Sequence, residues 1–88
     1  MPEFRIAATM TDAHDGLSRL LGDVARFGYG LMSVRLDTSP APSQIEMHVT
    51  ADDVTSEVIA ARLARHPSIL CLCATEDRTQ TQTGKLNA

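Results

Sequence analysis

The sequence has no tryptophan, one tyrosine and two phenylalanines, so aromatics make up only 3% of its 88 residues. A chain so poor in rings has no platform on which successive bases stack. Basic charge is not in excess either: the net charge is −3 and the pI about 5.4, which excludes the positive footprint of a nucleic-acid binder. No apolar run approaches the roughly 18–20 residues that cross a bilayer as a helix. Met1-Pro2-Glu3-Phe4-Arg5 is charged, and the apolar residues after it are broken by Thr9, Thr11 and Asp12. No secretory signal is read there, and the cytoplasm is the expected compartment. Cysteine is limited to Cys71 and Cys73, which fits reduced thiols. Two residues apart on an extended segment, they share a face and do not form a relaxed disulfide with each other. Also missing are Gly-x-Ser-x-Gly, a glycine-rich phosphate loop and His-Glu-x-x-His.

What is present is ordinary globular composition, 43% hydrophobic and 22% charged. A chain of this length makes one small domain that buries only about 60–65% of its unfolded surface, which is marginal for a lone monomer. Phe4, Ile6, Ala8 and Met10 alternate with Arg5, Ala7 and Thr9, the pattern of a half-buried strand. Asp12 or Asp15 then caps a helix from about Gly16 to Phe27. Its apolar positions are Leu17, Leu20, Leu21 and Val24, with Arg19, Asp23 and Arg26 on the wet side. Gly28 supplies a left-handed cap. Leu31–Thr38 is a second strand, with Met32, Val34 and Leu36 on one face and Ser33, Arg35 and Asp37 on the other. The prolines of 39–43 make a loop, and Gln44–Thr50 is a third strand in which Ile45, Met47 and Val49 alternate with polar residues.

Asp52 or Asp53 is expected to open a second helix running to about Arg65 and stopped by His66-Pro67. Its apolar residues form two stripes, Val54/Val58/Ala61 and Ile59/Leu63, and periodicity does not choose between them. Ile69–Ala74 is a continuous apolar run, suited to a strand buried on both faces or at a subunit contact. From Thr75 onward the chain is polar. The order βαββαβ predicts an α+β, ferredoxin-like sandwich: a four-stranded antiparallel sheet, order 4-1-3-2, with two helices on one face. The domain is assigned to residues 1–75 and a mobile polar tail to 76–88.

The histidines and cysteines offer little as a metal centre. A ferredoxin-like metal carrier is expected to hold its thiols in the loop after the first strand, and Thr11–Asp15 has none. Cys71 and Cys73 are therefore read as small hydrophobes, at least one of them packed in the core or at a subunit contact, with no metal and no cofactor in this chain. Asp12, His14 and Asp15 cluster at the first turn, where helix capping explains them better than acid–base chemistry, so no catalytic residue is assigned. The same turn leads into Gly16 and a helix N-terminus, whose free backbone N–H groups suit a carboxylate or phosphate. Pairing two second strands edge to edge would bring Gly30 and Leu31 of one chain near the first turn of its mate. That arrangement describes a ligand niche at a dimer interface.

Asp15-Gly16-Leu17-Ser18-Arg19-Leu20-Leu21-Gly22, followed by Phe27-Gly28-Tyr29-Gly30-Leu31-Met32-Ser33-Val34, resembles the first half of an ACT domain. The likeness is strongest to the short, single-ACT regulatory subunits of acetolactate synthase (acetohydroxyacid synthase), through Leu17-Ser18-Arg19 and Gly28-Tyr29. It extends over residues 4–75, in pattern rather than in specific residues across the second half. The resemblance implies a non-catalytic subunit that pairs with itself through the second strand. It implies activation of a thiamine-diphosphate-dependent catalytic subunit in branched-chain amino-acid biosynthesis, with an effector such as valine held by Asp12, Asp15, Gly16 and Leu17 of one chain and Gly30 and Leu31 of the other. A free-standing ACT amino-acid sensor acting on another enzyme or regulator is the alternative. Two positions depart from the family: Asp15 stands where the family has a glycine and Gly30 where it has an asparagine. Carboxylate repulsion and a lost hydrogen bond predict valine binding weaker by roughly 2–4 kcal/mol.

Overall fold

A computed structural model of the protein describes residues 2–77. The alternation in the first strand is realised fully: β1 (Glu3–Met10) buries Phe4, Ile6, Ala8 and Met10 and turns Arg5 and Ala7 outward. Chain order continues with α1 (Ala13–Arg26), β2 (Gly30–Asp37), β3 (Ser43–Thr50), α2 (Ser56–Leu63) and β4 (Ile69–Asp77). The strands form one antiparallel sheet in the order β2-β3-β1-β4, as the element order predicts. β1 and β3 are the inner strands, and β2 and β4 are the edges. The helices lie over one face, α1 against β2 and β3 and α2 along β4. The core is the side chains between these layers, among them Phe4, Ile6, Met10, Leu20, Met47 and Ile59.

α1 begins three residues before the expected Gly16 because Asp12, not Asp15, is the cap. Its extended backbone (φ −132°, ψ 107°) leaves the carboxylate to accept from the Asp15 N–H at 3.0 Å. The helix ends on Phe27 and on Gly28, whose φ of +76° is the left-handed conformation expected there. Asp52 and Asp53 do not open α2. Asp53 is itself left-handed, at φ 60°, which no helical turn accommodates. Thr55 caps the helix instead, its hydroxyl accepting from the Val58 N–H at 3.3 Å. The far end also comes early: Ala64 is the C-cap, and the turn to Pro67 takes the place of the last helical residues. Of the two stripes on α2, Ile59 and Leu63 face the sheet and Val58 is exposed.

Asp23, expected on the wet side of α1, is buried at 7% exposure. A 2.7 Å hydrogen bond joins its Oδ2 to Nε2 of His66, from the turn after α2, and this pairing makes the burial tolerable. Arg62 ties α2 to the turn that follows α1, donating from Nη1 to the Tyr29 hydroxyl at 2.9 Å while lying 4.7 Å over the Phe27 ring. His66→Ala strips the buried carboxylate of its partner and should cost about 1–3 kcal/mol in urea unfolding. His66→Ala as stable as the parent would show that water serves Asp23 equally well.

Bulges set the faces of both edge strands. In β2 the register slips between Leu31 and Ser33, so Leu31, Val34 and Leu36 pair with Val49, Met47 and Ile45 on the helix side and Met32 sits at the irregularity. In β4 it slips opposite Thr9/Met10, leaving Leu70 as the extra residue. Ile69 and Leu72 then face the helices, while Cys71 and Cys73 stand on the open face opposite Thr9 and Ala7. The apolar run Ile69–Ala74 is therefore an edge strand with Leu70, Cys71 and Cys73 exposed, not a strand buried on both faces. Neither cysteine is packed in the core. Strand β4 continues to Asp77, two residues past the boundary read from composition, and the rest of the expected polar tail lies outside the described residues.

Candidate functional site

The first turn and α1 form the wall of a groove beside β2. The groove is about 400 Å³, lined by Ala13, His14, Leu17, Ser18, Leu21 and Leu36. Leu17, Leu21 and Leu36, which line it, are only partly buried against the core. Beyond it, β2 leaves Leu31, Met32 and Val34 exposed by 47%, 53% and 38%. A row of large apolar side chains on an unpaired strand edge is what soluble monomers avoid.

The early start of α1 moves the backbone donors. The Gly16 N–H is bonded to the Asp12 carbonyl at 2.8 Å, and the Leu17 N–H lies inside the helix. Gly16 and Leu17 are thus not the free donors of the helix N-terminus. The Asp15 N–H is taken by the Asp12 side chain, which leaves Ala13 and His14 as the open first-turn amides. Gly16 has a packing role: it is buried against Met10, whose side chain occupies the space a Cβ would need. Leu17 does line the groove. Gly30, at the start of β2 opposite Thr50, and Leu31 lie on the exposed edge.

Asp15 turns toward β4 rather than standing as a bare charge. Both its carboxylate oxygens lie 3.1 Å from Arg19 Nε, and Oδ2 accepts from the Ser68 hydroxyl at 2.9 Å. The Ser68 bond first, and Arg19 next, hold this carboxyl below its ordinary value of 3.8. Arg19 and Ser68 thus partner the Asp15 carboxylate within the chain. Restoring a side chain at Gly30 is also not neutral, since its Cβ would lie 2.5 Å from Thr50 Oγ1. A depressed carboxyl stabilises the fold above the unfolded pKa and loses that contribution as pH falls through the folded one. Acid unfolding of the parent below about pH 3.8 should therefore be steeper than that of Asp15→Asn, read by circular dichroism. Equal slopes would place the acid-sensitive group elsewhere.

In the sequence the groove residues Leu21 and Leu36 read only as further apolar positions of amphipathic elements, and nothing local marks them as lining a site. Among the described residues no group of three or more His, Cys, Asp and Glu is placed to hold a metal ion, and no helix is long and apolar enough to cross a membrane.

No protein-family model matches the chain, and no curated protein sequence does. Solved structures do resemble it. An ACT domain protein from Streptococcus pneumoniae superposes with a TM-score of 0.70 at 10% identity, covering 85% of this chain and 89% of that one. The C-terminal domain of the MgtC protein from Mycobacterium tuberculosis gives 0.71 at 8% identity, with 88% of both chains covered. The P2 domain of the chemotaxis kinase CheA from Thermotoga maritima, solved in complex with the response regulator CheY, gives 0.68 at 11%, covering 86% of this chain and 98% of that one. At such identities the likeness speaks for the fold alone: a ferredoxin-like βαββαβ domain, the architecture that the ACT domain protein shares.

Proposed function

We propose that the protein is a non-catalytic regulatory module of the ACT type, acting as a homodimer joined through β2, and that the enzyme it serves is acetolactate synthase. The observation that carries the reading is the apolar edge of β2, with Leu31, Met32 and Val34 exposed, running beside the groove of Leu17, Leu21 and Leu36. Two such edges paired antiparallel would make one eight-stranded sheet and remove both liabilities at once. The groove's chemistry suits a small branched aliphatic amino acid. Its carboxylate would meet the Ala13 and His14 amides at the N-terminus of α1, and its side chain would lie on Leu17, Leu21 and Leu36. Gly30 and Leu31 of the second copy would close the niche. The resemblance of Leu17-Ser18-Arg19 and Gly28-Tyr29 to acetolactate synthase regulatory subunits supports the choice of enzyme.

Adding the chain to a thiamine-diphosphate-dependent acetolactate synthase catalytic subunit should raise its activity and yield a complex that survives gel filtration. A catalytic subunit neither bound nor activated would overturn the choice of enzyme. Calorimetry should show valine, leucine or isoleucine bound in preference to alanine. Leu21→Asp should weaken that binding by about 10- to 100-fold, since about 1.5–3 kcal/mol of apolar contact is exchanged for a charge. Equal affinity for alanine and valine would remove the groove from the site.

A further inference from the structure

The open face of the sheet carries a second feature, independent of the proposed regulatory role. Cys71 and Cys73 are exposed, unlinked and on the same side of edge strand β4. Their cross-strand neighbours on β1 are the short side chains of Thr9 and Ala7. Small neighbours there leave a groove of about 450 Å³, lined by Ala7, Thr9, Arg35, Glu46 and both cysteines among others. Their exposure shows that neither thiol fills the core of the chain.

The geometry points to Cys71 and Cys73 as a two-thiolate site for a soft, thiophilic ion of low coordination number, cuprous copper by its chemistry. Alternate residues of a strand lie about 6.6–6.8 Å apart along its axis. Two sulfurs leaning toward each other can close to the roughly 4.5 Å that a metal between two bonds of about 2.3 Å requires. Among the described residues no third His, Cys, Asp or Glu joins the pair, so the set does not complete the four-ligand tetrahedron that structural zinc takes. An ion content with two sulfurs is the one it suits, and thiolates select soft copper(I). Binding converts two thiols and one cuprous ion into an anionic bis-thiolate and releases two protons to solvent. Arg35, in the row that runs through Glu46 and Ala7 to Cys73, brings positive charge to that groove. Glu46 in the same row is engaged by Arg5 at 3.6 Å.

The test is a titration of the reduced full-length protein with cuprous ion in competition with the chromogenic chelator bicinchoninate. The expected result is one copper per chain, with Cys71→Ser and Cys73→Ser each weakening it by roughly a hundredfold or more as the chelate becomes a single thiol. Both positions are exposed, so the variants should keep the parent's circular dichroism. Phenylarsine oxide gives a second readout that needs no copper: its arsenic bridges two thiols, and both should vanish together from an Ellman assay in the parent. A single-serine variant holding copper as tightly as the parent would overturn the proposal, as would one copper per two chains. Independent reaction of the two thiols with the arsenical would do the same.

Discussion

Replacing Leu31 by lysine and Val34 by glutamate should leave the chain monomeric at concentrations where the unaltered protein sediments as a dimer. Both side chains lie on the edge strand β2, pair in register with the buried Val49 and Met47, and remain exposed because α1 does not reach over them. In an edge-to-edge dimer they would be buried with their symmetry mates, so the double variant places four charges in a contact otherwise made of apolar side chains. Both side chains are already about half buried, so losing about 1–1.5 kcal/mol of further burial at each of the four positions gives a deficit on the order of 4–6 kcal/mol. That is roughly a thousand- to ten-thousandfold in the dimer dissociation constant. Neither residue is in the core, so the variant should keep the parent's circular dichroism, which separates a lost interface from a lost fold. Sedimentation velocity decides the matter. A variant that stays dimeric would move the interface off β2, and a parent that is monomeric would remove the interface altogether.

The second large effect falls on Gly16. A Cβ at this position would intrude on Met10 Sδ and lie 3.0 Å from its Cγ and 3.3 Å from its Cβ. Met10 is fully buried, so its side chain has nowhere to swing. Gly16→Leu gains about 1 kcal/mol in helix propensity. Against that, forcing four heavy atoms into the contact between α1 and β1 costs about 3 kcal/mol or more. A net loss of roughly 2–3 kcal/mol is a large share of the 5–10 kcal/mol available to a domain of this size. Urea unfolding should show it as a lower midpoint with little change in slope. Adding Met10→Ala to Gly16→Leu should recover part of the loss, because the leucine then occupies the space the methionine vacates. Losses that simply add would show that the two positions do not compete for volume.

Much of the architecture is legible in local pattern. Strict alternation in β1 and β3 announces strands with one face buried, since a slip of one residue would turn the whole apolar set to solvent. Gly28 announces the left-handed end of α1 for steric reasons that need no tertiary context. The start of α1 was less legible. Asp12 and Asp15 are both good caps by composition, and the choice between them sets which amides are free, hence the displacement from Gly16 and Leu17 to Ala13 and His14. The start of α2 is hidden for a related reason: two adjacent aspartates look like caps until one of them adopts a positive φ.

The sequence alone determined the element order, the antiparallel sheet and the identity of the core on β1 and β3, because hydrophobic periodicity is a local property that burial must respect. Tertiary structure alone decided which face each edge residue takes. Bulges at Met32 and Leu70 break the period of two, so Leu31 joins the helix side while Cys71 and Cys73 reach the open face. It likewise decided that Asp23 is inside, because its partner His66 lies 43 residues away in the chain. It also gave the half-exposed Asp15 its partner Ser68, 53 residues away. A buried polar group is tolerated only with such a partner, and no periodicity in the sequence shows where the fold will supply one.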